Sequence, residues 1–109
     1  MAEVFKRKVS KDIGSTLTSV GSYTVPASTS STAIGLIISN TTTSAIKVDA
    51  CLSNGGSDYY LIKNTDLPVG SALVVIGGEQ KIVMEVGDTI KVRTVTGNCD
   101  AILSILEIT

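Results

Sequence analysis

From residue 33 onward the chain alternates apolar and polar side chains in short runs. "AIGLIISN" (33–40), "AIKVDACLS" (45–53), "DYYLIKN" (58–64), "SALVVIG" (71–77), "KIVMEV" (81–86), "TIKVRTV" (89–95) and "DAILSILEI" (100–108) each have the length and β-branched content of a strand. Turn-forming residues separate them. "SNTTTS" is a polar connection, "SNGGSD" supplies Asn54-Gly55-Gly56 for a tight reversal, and "DLPVGS" places Pro68 and Gly70 in a bend. Gly77-Gly78 is read as a hairpin turn joining 71–77 with 81–86, and "TGN" at 96–98 as the closure of a last hairpin. Before residue 33 the chain is crowded with Ser and Thr, yet Leu17, Val20, Tyr23 and Val25 recur at short intervals, which predicts twisted strands and turns rather than a linker. No segment carries a helical period. The pattern predicts an all-β fold, a single antiparallel β-sandwich or jelly roll of about seven to eight strands spanning 1–109.

Period two assigns faces. In 45–53, Ile46, Val48, Ala50 and Leu52 point one way and Lys47, Asp49 and Cys51 the other, which puts Cys51 at an outer face or an interface. In 81–86, Ile82, Met84 and Val86 are expected inside; beyond the bend Ile90 and Val92 resume that side, leaving Lys91 and Arg93 outside. The final run differs, with Ile102, Leu106 and Ile108 on one face and Ala101, Leu103 and Ile105 on the other. Such a strand is either covered on both sides or packs one face against another subunit. The first twelve residues alternate weakly and are basic at Lys6, Arg7, Lys8 and Lys11, which fits an edge strand guarded by charge or an arm laid over a neighbour and anchored by Phe5. The candidate assembly interface is therefore Phe5, Lys6, Arg7, Lys8, Leu103 and Ile105.

Composition narrows the function classes. The chain has 109 residues, enough for one core, and only one Phe and three Tyr, so Val, Ile, Leu and Ala must fill it. The net charge of −1 argues against a nucleic-acid partner. No apolar run approaches the roughly 18 residues of a membrane helix and no signal peptide is evident, so a soluble protein made in the cytosol is expected, without a membrane partner. That compartment favours free thiols at Cys51 and Cys99 over a bridge.

Candidate chemistry is sparse. Histidine is absent, which removes the commonest general base and the commonest zinc arrangements. Glu79, Glu85 and Asp88 lack a partner base; Asp88 after Gly87 suits a turn that its carboxylate caps. "IGG" at 76–78 precedes a strand rather than the helix of a phosphate loop, and Asp49, Asp58, Asp88 and Asp100 do not fall at calcium-loop spacing. The expectation is no catalytic residue, no cofactor and no metal. Tyr59-Tyr60 is the one place for a sugar-stacking platform, but its two rings should face opposite ways.

The order "FKRKVSKDIGSTLTSVGSYTVPASTSSTAIGLIISN", "YYLIKNTDLPVGSALVVIGGEQKIVMEVGDTIKV" and "AILSILEIT" resembles small virion structural proteins of tailed bacteriophages, in particular phages of marine and freshwater bacteria. The likeness spans nearly the whole chain, and "LPVGSALVVIGGEQKIVMEVGDTIKV" is its most specific part. It implies a non-enzymatic domain of the virion, a capsid decoration or cement protein bridging shell subunits, with itself and the major capsid protein as partners. A neck, tail or baseplate component is the alternative, and a carbohydrate-binding module on the particle a second.

Overall fold

The alternating runs fold as strands close to where the pattern puts them. In the computed structural model, which describes residues 3–109, the strands are β1 (Glu3–Ile13), β2 (Thr18–Ser19), β3 (Ser30–Asn40), β4 (Ile46–Asn54), β5 (Ser57–Leu67), β6 (Ala72–Ile76), β7 (Ile82–Met84), β8 (Thr89–Thr94) and β9 (Cys99–Ile108). Nine strands form rather than seven or eight; the two-residue β2 leads into a 3₁₀ turn at Val20–Ser22. They build two antiparallel sheets. One runs β1-β9-β3-β6, with β7 also on β3, and the other β2-β8-β4-β5.

Most connections cross between the sheets, which corrects two expected hairpins. The turn at 96–98 carries the chain from β8 in one sheet to β9 in the other. Strands β6 and β7 do not pair with each other along their length. Both lie antiparallel on the same edge of β3, β6 against Leu36–Ser39 and β7 against Ser31–Ala33, so Gly77–Gln80 is a loop-out within one interrupted edge strand. The hairpin expected at Asn54–Ser57 does form, with Gly55 and Gly56 at φ +59° and +86°, the two positive values that a two-residue turn of this hand requires.

The core lies between the sheets. Leu36, Ile38, Val48, Ile90, Val92, Leu103 and Ile105 are fully buried and pack with Met84 and Ile76. Val86 is exposed instead of inside, because β7 stops at Met84 and the chain turns. There the Asp88 carboxylate accepts the Glu85 N–H at 2.8 Å, the capping its sequence position predicts.

Candidate assembly surface

Strand β9 is the centre of its sheet, and its register fixes which side chains share a face. Paired residues in neighbouring strands point the same way. Ala101, Leu103, Ile105 and Glu107 face the core; Ile102, Ser104, Leu106 and Ile108 face away from it. This reverses the expected assignment. Leu103 and Ile105 are wholly inside the sandwich, so of the two apolar faces of this strand it is the Ile102 face that remains open.

Across the sheet the outward side chains line up in rows. Val9, Ile102, Ile37 and Val74 form one, from β1 through β9 and β3 to β6. Phe5, Leu106, Thr32 and Val83 form another, ending on β7. Between them runs a row of Arg7, Ser104 and Gly35. Phe5 is 74% exposed and Val83 72%, the most open large apolar side chains of the described residues. Monomeric proteins rarely leave apolar side chains contiguous over four strands.

Strand β1 is an edge strand paired with β9 along its length, and its alternation splits the predicted basic cluster. Phe5 and Arg7 join the open face. Lys6 and Lys8 point to the other side, where Lys6 Nζ lies 2.7 Å from Glu107 Oε1 and Lys8 Nζ stands 5.3 Å above the ring of Tyr23. The Tyr23 hydroxyl donates to Glu107 Oε2 at 2.6 Å. These groups close the flank of the sandwich with inward-turned charge, a device that protects a sheet edge from pairing with other chains. Met1 and Ala2, the start of the expected arm, lie outside the described residues.

The second sheet has a polar outer face. Asp49 is fully buried although it faces away from the core, because it accepts from the Asn64 N–H at 2.6 Å and from Arg93 Nε at 2.7 Å, with Lys63 Nζ at 3.5 Å. Cys51 is on that face, as period two predicts, but it is covered rather than open, with Ser53 Oγ at 3.6 Å. Cys99 is buried as well, and both thiols are free. Burial raises the pKa of each, that of Cys99 to about 11, and so keeps both in the unreactive thiol form. Tyr59 and Tyr60 pair with Leu52 and Cys51 and so sit on opposite faces, with Lys63 Nζ 4.3 Å above the Tyr60 ring; the two do not make one platform. Among the described residues there is no group of three potential metal ligands and no pocket.

Two of the buried carboxylates, Glu107 and Asp49, give the fold a pH dependence. Lys6 and then the Tyr23 hydroxyl hold Glu107 below its ordinary 4.5. Burial pushes Asp49 up, but the Asn64 N–H, Arg93 and Lys63 together outweigh it and leave it below 3.8. A carboxylate with a depressed folded pKa stabilises in full above its unfolded value and loses that contribution as pH falls through the folded one. The melting temperature should therefore be nearly level from pH 7 to about 5 and fall below roughly 4.5. Glu107→Gln should lower it near neutrality and flatten the acid limb; a differential-scanning series over pH checks both.

No family model and no curated protein matches the chain. Among solved structures, a chain of the structure described as "Bacillus endospore appendages form a novel family of disulfide-linked pili" is similar at 15% identity and a TM-score of 0.51, over 96% of this chain and 85% of that one. At that identity the likeness is one of fold.

Proposed function

We propose that this chain is a non-enzymatic structural subunit whose work is to be packed repeatedly into a larger assembly. The observation that carries the reading is the open apolar face of the β9 sheet, a solvation cost that a lone domain has no reason to keep and that a neighbour removes. The resemblance to tailed-phage virion proteins makes the reading specific: a capsid decoration or cement protein, made in the host cytoplasm and resident in the virion, that binds copies of itself and the major capsid protein. The test is the number of copies per purified particle, by quantitative mass spectrometry against the major capsid protein. A ratio near one to one, or a simple fraction set by shell symmetry, is the expected result. A few per cent would move the protein to the neck, tail or baseplate, and absence from particles would end the virion reading.

The fold shared with a chain from pili favours a second reading, a fibre subunit. In that case the subunits here would be joined without disulfides, because both cysteines are buried within the domain. Fibres unaffected by a reducing agent, seen by electron microscopy of the purified chain, would support it.

A further inference from the structure

The open face of the β9 sheet has a pattern that fits itself. Two apolar rows flank the row of Arg7, Ser104 and Gly35. Its two inner members, Ser104 and Gly35, are small, and the bulge between Ala33 and Gly35 sets the half-buried Ile34 beside them. Phe5, Val9, Ile37, Val74, Val83 and Ile102 are all exposed on this face, a contiguous apolar surface of the kind that monomers rarely leave uncovered.

Charge selects the geometry. Arg7 is the charged member of the middle row at the β1 edge. At the opposite edge, the middle row falls between Ile76 on Leu36 and Ile82 on Ala33, where the Gly77–Gln80 loop leaves the sheet and carries the exposed Glu79. A two-fold axis along the rows would stack Arg7 on Arg7 of the partner subunit. An axis parallel to the strands brings β1 over the β6–β7 edge instead. Phe5 then meets Val83 of the partner subunit, Val9 meets Val74 of the partner subunit, Ile102 meets Ile37 of the partner subunit, and each Arg7 meets a Glu79 of the partner subunit. Like charges opposed across an interface are disfavoured, so the second arrangement wins.

We propose that this face binds a second copy of the chain as a symmetric sheet-on-sheet dimer, with its two-fold axis parallel to the strands and Arg7 and Glu79 as reciprocal charge partners. The proposal rests on the reading of the chain as an assembly subunit and adds the contact surface and its symmetry. It is tested by sedimentation velocity over a concentration series on the full chain and four variants: Val83→Lys, Arg7→Glu, Glu79→Arg and the double exchange R7E/E79R. All the altered residues are exposed, so the fold is kept, and circular dichroism verifies it. The wild type should have twice the 11.3 kDa chain mass. Val83→Lys and each single charge reversal should weaken the dimer by about tenfold or more, and the double exchange should restore it to within about threefold. A monomeric wild type, a dimer indifferent to Val83→Lys, or a double exchange no better than the singles would each overturn the proposal. An assembly that forms normally with Val83→Lys would do so while leaving the structural role intact, because that role is judged separately by copy number.

Discussion

Leu103→Ala is expected to lower the unfolding free energy by about 3–4 kcal/mol, whereas Ile102→Ala, one residue away on the same strand, should cost less than about 1 kcal/mol in the isolated subunit. Leu103 is fully buried in the central strand β9, between Lys8 of β1 and Leu36 of β3, facing the opposite sheet. Truncating it removes the transfer free energy of the lost atoms and leaves a cavity that two flanking ladders prevent from closing. Ile102 already keeps 42% of its surface in water, so less is lost and no cavity forms. For a domain of this size the first change amounts to roughly 15 °C in melting temperature. Urea titration followed by far-ultraviolet circular dichroism measures both. Equal costs would mean that β9 is covered on both sides within one subunit; a larger cost at Ile102 would mean that the inner and outer faces are exchanged.

That contrast marks where the sequence stops being informative. Strand positions are local properties, set by alternation and by turn residues such as Asn54-Gly55-Gly56, and from residue 33 onward they are legible to within about three residues. Which way β9 faces is not local. Its two faces are nearly equal in apolar content, and Glu107 makes the Leu103 face look like the wetter one. The face is buried because Tyr23, 84 residues away, and Lys6 satisfy that carboxylate, a pairing no spacing reveals. Asp49 is covered for a similar reason: Arg93, Lys63 and the Asn64 backbone come from other strands. The loop at Gly77–Gln80 misled in a different way. A turn signal shows that the chain bends, but a hairpin and a loop-out on one edge strand share the same signal. Val9, Ile37, Val74 and Val83 form a common surface only through the register of five strands. The signal for it in the sequence was the doubly apolar final run, but the expectation drawn from it put the interface on the Leu103 and Ile105 side, which is the buried one.

The N-terminal strand carries the other large expected effect. Gly21 has φ +62°, and a Cβ there would lie 2.6 Å from Lys8 Cβ and 3.1 Å from both Lys8 Cα and Val9 N. Two of those neighbours are backbone atoms that cannot rotate aside. The Gly21 N–H also donates to Ser10 Oγ at 2.8 Å, so the 3₁₀ turn holds β1 against β9 by direct contact. Gly21→Val combines a disfavoured backbone region with that overlap and should cost about 3 kcal/mol. The loss should be local, because Ile13 is the one residue of β1 in the buried core and the remaining sandwich keeps its packing. Relief by peeling β1 away gives up its ladder, the Lys6–Glu107 pair and the Lys8–Tyr23 contact while leaving the rest of the domain folded. Hydrogen exchange read by mass spectrometry should then show protection lost over 3–13 and over the facing amides of β9, with β4 and β8 unchanged. Uniform loss across all strands would mean instead that β1 is integral to the cooperative unit. The same variant removes Phe5, Arg7 and Val9 from the open face, so it should also abolish self-association, joining the edge strand that closes the subunit to the surface through which copies meet.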